Sequence, residues 1–341
     1  MDRLAIVILN WNGCAMLENY LPVLMRHSAI DGVEIIVADN CSTDGSMVMM
    51  REKFPDIRLI ALDQNYGFAE GYDRALKQVE AEYYLLLNSD VEVTGGWLEP
   101  LLSYMDAHAD VAACQPKLRD CRHKDMFEYA GGAGGYMDRW GYLCCRGRIM
   151  DAVEKDDGQY DDVREVFWAT GAALMVRSAD FWNAGGLDER FFAHQEEIDL
   201  CWRLRSRNRR IVCVPQSVVF HVGGATLNRE NPFKTFLNFR NNLLMLYKNL
   251  PENRFHRVLF VRFWLDMLAM AAFVAQMKFH DAGAVIRARR AFRRMKPDFE
   301  AKRRANMEAA VLSEIPEVMP YSVLWKYYAR RIRRFSDLDE R

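Results

Sequence analysis

Short, mostly apolar runs recur through the first half of the chain and predict buried β-strands. Stretches with helical periodicity separate them. Runs that are apolar on both faces, at the spacing of βαβ crossovers, indicate a parallel sheet that is covered by helices on both sides. The four runs are 6–9, 34–38, 58–62 and 83–87.

The middle of the chain predicts a less regular region followed by a return to strands and a helix. The glycine- and aromatic-rich stretch 131–147 predicts an irregular loop or a hairpin, and the acidic stretch 150–162 predicts an exposed segment. A helix that begins with acid and ends with arginine follows, as the helix dipole favours. The later strands are 172–176 and 211–214, and the helix is at about 195–207.

After about Gly224 the pattern is helical to the end, and it contains one long apolar run, 258–279. Arg262 and Asp266 lie within the first nine positions of this run, which argues against a bilayer-spanning helix. A helix that lies on a membrane surface, next to the basic stretch that follows, fits better. The alternative is a helical cap on the first domain. We predict one domain at 1–225 and a helical extension at 226–341.

Charge and cysteine content narrow the class of protein. The 341 residues carry a net charge of −1, so no global field favours nucleic acid as a partner. The eight cysteines form no C-x-x-C pair and no zinc-finger spacing with histidine. The N-terminal apolar run is too short for a signal peptide. These features predict free thiols and a cytoplasmic location.

Polar, turn-forming residues follow each of the first four strands. They are found at 10–12, 39–42, 63–65 and 88–90. In open α/β sheets, ligands bind just beyond the carboxyl ends of the strands. The four clusters therefore predict one binding site that is assembled from residues far apart in sequence.

Two carboxylates at these strand ends are suited to a nucleotide. Asp90 can hold a divalent cation that also binds phosphate groups, although a polar turn is the simpler interpretation. Asp39 can accept a hydrogen bond from a pyrimidine ring N–H, and the alternative is a helix N-cap formed by Ser42 or Asp44. In the glycine-containing turn 65–71, backbone N–H groups can approach a diphosphate or a sugar.

The acidic cluster 195–199 offers a general base, because an acceptor hydroxyl must lose its proton as it attacks an anomeric carbon. The alternative is first-turn acid at a helix N-terminus, with Asp199 paired to Arg203. His221, which precedes Gly223, can be a second metal ligand, although a lone histidine is more often structural.

The order of these features resembles glycosyltransferase family 2, and within it the bacterial rhamnosyltransferase-like branch that builds surface polysaccharides. The resemblance runs from about Ile6 to Asn249, and it includes 185–192 and the pair Arg240-Asn241. The motifs that carry it are Asp39, 65–71, 88–90, 168–172, Glu196-Glu197-x-Asp199 and 221–224.

The resemblance implies a GT-A fold, in which helices flank a mostly parallel sheet, with a helical C-terminal extension. It also implies an inverting transferase that uses a UDP- or dTDP-linked sugar, Mg²⁺ or Mn²⁺, and a saccharide or lipid-linked acceptor. The inner-leaflet membrane surface is a further possible partner, and nucleic acid is not one.

By position, the resemblance implies that Trp11 stacks on the nucleobase and that Asp39 accepts a hydrogen bond from the ring N–H of that base. Asn88 stands where the family's D-x-D motif begins with an aspartate that contacts the ribose, and this is a departure from the pattern. Glu197 stands at the position of the base in a motif more commonly written Glu-Asp, and because the longer side chain moves the carboxylate by about one methylene, Glu196 and Asp199 stay alternatives for the base. The predicted donor-binding residues are Leu9, Trp11, Asp39, Asn65, Gly67, Phe68, Gly71, Asn88, Ser89 and Asp90; the acceptor-side residues are Trp168, Thr170, Gly171, Glu196 and Asp199; the base is Glu197; and the metal ligands are Asp90 and His221.

Three other classes share parts of this pattern. A sugar nucleotidyltransferase usually has a basic residue in the loop after the first strand, and here none occurs before Arg26. A dinucleotide dehydrogenase requires a G-x-G-x-x-G at that place, and it is absent. A non-catalytic, membrane-associated scaffold with the same fold stays an alternative, although the presence of the acids Asp39, Asp90 and Glu197 argues against it.

Overall fold

The first third of the chain forms the parallel part of the central sheet. The computed structural model describes residues 2–223 and 231–338, so Gly224 and the predicted domain boundary at 225 lie outside the described residues. All four predicted strands of this part are present, with a helix after each of the first three. The elements are β1 (Asp2–Asn10), α1 (Cys14–His27), β2 (Val33–Asp39), α2 (Ser46–Lys53), β3 (Arg58–Ala61), α3 (Gly67–Leu76) and β4 (Ala81–Leu87).

The middle third completes the sheet and adds a small second one. The predicted helix near 195–207 is present as α6, and the predicted hairpin at 131–147 is formed by β7 and β8. The elements are β5 (Val91–Val93), α4 (Leu98–Ala107), β6 (Val111–Asp120), β7 (Gly135–Asp138), β8 (Leu143–Cys145), β9 (Arg148–Ile149), β10 (Ala152–Val153), β11 (Arg164–Glu165), β12 (Ala173–Arg177), α5 (Ser178–Asn183), α6 (Glu196–Ser206) and β13 (Arg210–His221).

The last third is helical, as predicted, except for one short strand that pairs with β7 and so ties the extension to the second sheet. The prediction of helix to the end of the chain is wrong at this strand. The elements are α7 (Pro232–Asn249), α8 (Glu252–Ala275), α9 (Phe279–Met295), α10 (Glu300–Ala309), β14 (Val318–Met319) and α11 (Val323–Tyr328).

The central sheet has nine strands in the order β11-β13-β6-β12-β4-β1-β2-β3, with β5 paired to β13. Strands β3, β2, β1 and β4 are parallel, as predicted, and so are β6 and β13. Strand β12 is antiparallel to both of its neighbours, so the second half of the sheet is mixed. The predicted α/β class with a helical extension is confirmed.

Side chains of β1 alternate between two hydrophobic cores, one on each face of the sheet. Ala5 and Val7 join the core formed with α3, α5 and α6. Leu4 and Ile6 join the core formed with α1, α2 and α4. Helices therefore cover both faces, which explains why the strands read as continuous apolar runs.

The acidic stretch 150–162 is not exposed throughout, contrary to the prediction. Glu154 and Tyr160 are buried, and the Tyr160 hydroxyl donates to the Glu154 carboxylate at 3.1 Å. The backbone N–H of Phe335 also donates to Glu154, at 2.8 Å. The C-terminal residues cover this part of the stretch, and a contact between such distant segments leaves no local signal in the sequence.

Candidate functional site

Three parallel strands end side by side and form the floor of the candidate site. The register pairs Asn10 of β1 with Asp39 of β2, and Ile8 of β1 with Leu87 of β4. The residues that follow each strand therefore emerge at one edge of the sheet, as predicted. This edge is where ligands bind in open α/β sheets.

Asp39 is buried at the end of β2, and its carboxylate accepts the backbone N–H of Ser42 at 3.0 and 3.2 Å. Burial raises the pKa of Asp39, and the hydrogen bonds from Ser42 only partly oppose this. The bond to Ser42 fixes the carboxylate in place and leaves other lone pairs open to a ring N–H.

Trp11 lies in the loop after β1 and has 44% of its surface exposed. The loop is tied to the end of β2, because the Asn12 N–H donates to the Ser42 hydroxyl at 2.9 Å and the Thr43 N–H donates to the Asn12 side chain at 2.7 Å. An exposed indole on a tethered loop beside Asp39 is suited to stacking on a nucleobase.

The turn at 65–71 is held from inside the protein. Asn65 Oδ1 accepts the Gly67 N–H at 2.8 Å, and the Phe192 carbonyl accepts the Phe68 and Ala69 N–H groups at 2.6 and 3.2 Å. These amides already have acceptors within the protein, so binding of a diphosphate or a sugar by this turn stays a prediction.

The two glycines of this turn are required by close contacts. Gly67 has φ +73°, and a Cβ there would lie 2.4 Å from the Phe192 ring. A Cβ on Gly71 would lie 2.9 Å from Leu9 Cδ2, where α3 crosses β1. Gly67, Gly71, Leu9 and Phe68 thus shape the wall of the site by packing.

Asp90 and His221 meet where β5 pairs with the end of β13. The ladder places His221 opposite Val91, and His221 Nε2 lies 3.2 Å from Asp90 Oδ1. The Asn88 side chain lies 3.4 Å from the same ring nitrogen, and Ser89 is half-buried between the two. Two residues that the sequence separates by 131 positions are therefore in contact, as the predicted metal site requires.

Glu128 is a member of this cluster that the sequence analysis missed. Its buried carboxylate lies 3.4 Å from His221 Nδ1, on the other side of the ring from Asp90. Glu128 follows β6 in a loop and reaches His221 only because β6 and β13 are neighbours in the sheet. No spacing in the sequence indicates this contact.

The charges of the cluster are strongly coupled. Burial favours the neutral ring of His221, but the carboxylates of Asp90 and Glu128 raise its pKa to about 10. Burial opposes ionisation of Asp90 as well, but the contact with His221 lowers the pKa of Asp90 below its ordinary value. The protonated ring thus offsets part of the negative charge of two buried carboxylates.

The donor set fits Mg²⁺ or Mn²⁺. A carboxylate oxygen and an imidazole nitrogen are suitable ligands, and a carboxylate behind the ring fixes which nitrogen faces the ion. Within 2–223 and 231–338, no group of three His, Cys, Asp or Glu side chains is arranged to enclose an ion. Mg²⁺ sites that also use substrate phosphates need only one or two protein ligands.

Glu197 lies in the first turn of α6, against Gly171. A Cβ on Gly171 would contact the Glu197 side chain at 3.6 Å, and Glu197 Oε2 is buried without a hydrogen-bond partner. Burial raises the pKa of Glu197. A buried carboxylate with an unused oxygen is a stronger proton acceptor than one in water.

The segment Thr170–Ala172 connects the base to the metal end of the site. The Ala172 carbonyl accepts the Asn88 N–H at 3.0 Å, while the neighbouring Gly171 contacts Glu197. Thr170 supports this segment, because its N–H donates to the Gln115 side chain at 2.9 Å. The strand ends and the base thus belong to one site.

Three acceptor-side predictions differ from the structure. Trp168 is buried, and its indole fills the space above Gly135 and donates to the Tyr136 carbonyl at 3.1 Å, so it belongs to the core. Asp199 is fully buried and ion-paired to Arg203, so it does not line the site. Glu196 is also buried, so it does not line an open acceptor side, but its Oε2 lacks a hydrogen-bond partner as that of Glu197 does, and burial together with the charge of Glu197 raises its pKa well above the ordinary value.

Helix α7 holds the loop that leads to the base. Asn241 Nδ2 lies 3.0, 2.8 and 2.7 Å from the carbonyls of Phe191, Ala193 and His194. In this loop Phe192, His194 and Gln195 all have positive φ, which non-glycine residues rarely adopt. The resemblance included Asn241, but its contacts could not be read from the sequence.

Comparison with known proteins supports the predicted family and enzyme class. Residues 5–130 match the model of the glycosyl transferase family 2. The N-acetylglucosaminyl-diphospho-decaprenol L-rhamnosyltransferase of Mycobacterium tuberculosis is 26% identical over 247 residues, covering 67% of this chain and 79% of that protein. A low-salt glycan biosynthesis hexosyltransferase of Haloferax volcanii is 24% identical over 250 residues, covering 72% of this chain and 75% of that protein.

The fold is also similar to that of a solved mannosyltransferase from Pyrobaculum calidifontis, in complex with GDP-Man and Mn²⁺. The TM-score is 0.52 at 15% identity, and the match covers 91% of this chain and 86% of that one. The fold, the matched family and the relatives agree. Residues 5–130 match glycosyltransferase family 2, the chain as a whole is similar to rhamnosyltransferases, and the protein is a glycosyltransferase with a GT-A fold.

Proposed function

We propose that this enzyme transfers a hexosyl or deoxyhexosyl residue from a UDP- or dTDP-linked sugar to a saccharide or lipid-linked saccharide in surface polysaccharide synthesis. It would work in the cytoplasm, at the inner leaflet of the membrane. The observation that carries the proposal is the segment Thr170–Ala172, which joins Asn88 at the proposed metal end to Glu197, whose unpartnered carboxylate oxygen is buried. The Mycobacterium relative is an N-acetylglucosaminyl-diphospho-decaprenol L-rhamnosyltransferase, and this similarity supports a lipid-linked saccharide as the acceptor.

The nucleotide would bind at the strand ends. Trp11 would stack on the base, and Asp39, which Ser42 holds in place, would accept the ring N–H. Asp90 and His221 would hold Mg²⁺ or Mn²⁺ with the diphosphate, and Glu128 would orient the imidazole. A bound ion supplies charge neutralisation of the leaving diphosphate, which contributes several kcal/mol to such reactions.

The reaction would be a single displacement at the anomeric carbon. The acceptor oxygen forms the new bond to that carbon as the bond to the diphosphate oxygen breaks, so the configuration inverts. Glu197 takes the proton of the attacking hydroxyl on its unused carboxylate oxygen. General-base catalysis of this kind typically contributes about 10²–10⁴-fold, or roughly 3–5 kcal/mol.

A screen of nucleotide sugars tests the proposal. Each donor is incubated with the full chain, with and without Mn²⁺, and release of nucleoside diphosphate is measured beside the Glu197→Gln variant. We expect metal-dependent release from a UDP- or dTDP-linked sugar and a higher Tm with the matching nucleoside diphosphate plus Mn²⁺. Nucleotide binding with no turnover of any donor would favour the scaffold alternative, and absence of both would refute the proposal.

A further inference from the structure

Helix α8 presents a broad apolar face to the outside of the molecule. Phe260, Trp264 and Leu268 have 66%, 60% and 67% of their surfaces exposed. They are spaced four residues apart, so they lie on one side of the helix. Exposed Met277 and Phe279 follow at the turn into α9. Single exposed apolar side chains are common in proteins, but a continuous stripe of large ones indicates a binding surface.

The two charges of α8 point the other way, into the protein. Arg262 and Asp266 are buried and form an ion pair at 3.1 Å. Arg262 also donates to the Trp140 carbonyl at 3.2 Å, and Arg289 of α9 pairs with Asp266. Arg262 and Asp266 are the only charged residues between Val258 and Ala275 in the sequence, so the outward side carries none.

Helix α9, which packs against α8, supplies the complementary charge. Arg287, Arg290, Arg293 and Arg294 are exposed along it. The sequence has no acidic residue between Asp281 and Asp298 to neutralise them. An apolar stripe beside an unneutralised row of arginines fits the surface of a bilayer that contains anionic lipids. A basic row gives no comparable attraction to a second copy of itself.

This surface continues towards the catalytic site. The Thr235 hydroxyl of α7 donates to Asp281, at the start of α9, at 2.6 Å. The neighbouring, exposed Phe233 contacts Phe192 with ring centroids 6.4 Å apart, and Phe192 lies over Gly67 in the wall of the site. The start of α9 thus contacts α7, and the exposed rings of Phe233 and Phe192 lead from α7 to the loop before Glu197.

We propose that the outward face of α8 inserts into the headgroup region of an anionic bilayer, with the arginines of α9 on the phospholipid headgroups. The aromatic residues Phe233 and Phe192 then line the path from the membrane to the site. The membrane contact stands on its own evidence. The use of this path by a lipid-linked acceptor rests on the proposed function.

Vesicle sedimentation tests the membrane contact directly. The full chain is mixed with vesicles of phosphatidylcholine containing phosphatidylglycerol, or of phosphatidylcholine alone. A variant with Phe260→Ser, Trp264→Ser and Leu268→Ser should partition roughly tenfold or more weakly, because three large apolar side chains no longer insert. Val48→Ser, at an exposed valine of α2, is the matched control and should bind like the unmodified chain.

A charge variant separates the two parts of the surface. Arg290→Glu with Arg293→Glu should lose most of the preference for phosphatidylglycerol vesicles, and its residual binding should no longer weaken with salt. Equal sedimentation of the unmodified chain and of both variants would overturn the proposal. So would a dimer in solution that the α8 variant converts to a monomer, because α8 would then be an interface between copies.

Release of nucleoside diphosphate from the donor without acceptor distinguishes the two proposals. The α8 variant should keep this activity and its Tm, since its altered residues lie outside the site. Loss of vesicle binding with donor turnover retained supports the membrane surface. Vesicle binding in a chain that turns over no donor would leave the surface standing and refute the proposed function.

Discussion

The two halves of the site are positioned in different ways. The donor half consists of residues at the ends of β1, β2 and β4, and the register of the parallel ladder fixes them. The base half is Glu197 with the irregular loop 191–195, whose left-handed residues depend on hydrogen bonds from Asn241 of α7. In the proposed mechanism, the sheet positions the residues that would bind the nucleotide, and the C-terminal extension positions the loop that leads to Glu197. Changes in one half should leave the other half working.

The largest expected effect comes from breaking the donor half at its metal end. Asp90→Ala removes the carboxylate beside His221, so it should abolish transfer and weaken metal-dependent nucleotide binding. Isothermal titration with nucleoside diphosphate and Mn²⁺ measures the binding. Near-normal binding that still requires Mn²⁺ would show that Asp90 is not a metal ligand.

Replacing the proposed base tests whether the rate of transfer can be lost while nucleotide binding is kept. Glu197→Gln keeps the shape of the side chain, so nucleotide affinity should stay unchanged while kcat falls by about 10²–10⁴-fold. Glu196→Gln is the matched control, because Glu196 is buried beside it. Near-normal transfer by Glu197→Gln would show that the assignment of the base is wrong.

A smaller loss of activity should follow when the loop 191–195 loses the hydrogen bonds that it receives from α7. Asn241→Ala removes the donor to three loop carbonyls, so kcat should fall roughly tenfold or more through misplacement of the base. Nucleotide affinity should not change, and Asn253→Ala, at an exposed asparagine of α8, should have no effect. Equal losses of kcat and nucleotide affinity in Asn241→Ala would show that the halves are not independent.

The smallest effect concerns pH. Glu197 accepts a proton only when it is ionised, and burial raises its pKa. Transfer should therefore decline as the pH falls, with the midpoint of the acid limb above about 4.3, the ordinary glutamate value. The rate at saturating donor, measured against pH beside donor affinity, checks this. If donor affinity fell at low pH while the rate at saturating donor did not, the group that titrates would belong to the donor half and not be Glu197.

The donor half could be predicted from the sequence because its signals are local. An apolar run followed by polar residues marks the end of a strand, and parallel strands bring such ends together. Asp39, Asn88 and Asp90 were placed in this way, His221 was a candidate from its place after a later strand, and the resemblance added Trp11. The turn at 65–71 was placed correctly, but its amides bind Phe192, since no local rule indicates which distant carbonyl a turn will meet.

The base half could be predicted less well because its contacts span long distances along the chain. Asn241 meets Phe191 across 50 positions along the chain. The donor half has a contact of this kind too, since Glu128 reaches His221 only through the pairing of β6 with β13. Asp199 has the local pattern of a helix-start acid, but Lys248 reaches it from α7 at 2.8 Å. A buried ion pair of this kind is not visible until the helices are placed.

The buried pair Arg262–Asp266 also decides how firmly this protein can hold to a bilayer. Full insertion of α8 would carry both charges into hydrocarbon and separate them from Trp140, Asn242 and Arg289. Shallow contact leaves every one of these bonds intact. Under the proposed contact, residence at the membrane would be a reversible equilibrium that needs no refolding, and the lipid composition of the leaflet would set the share of enzyme that is bound at any moment.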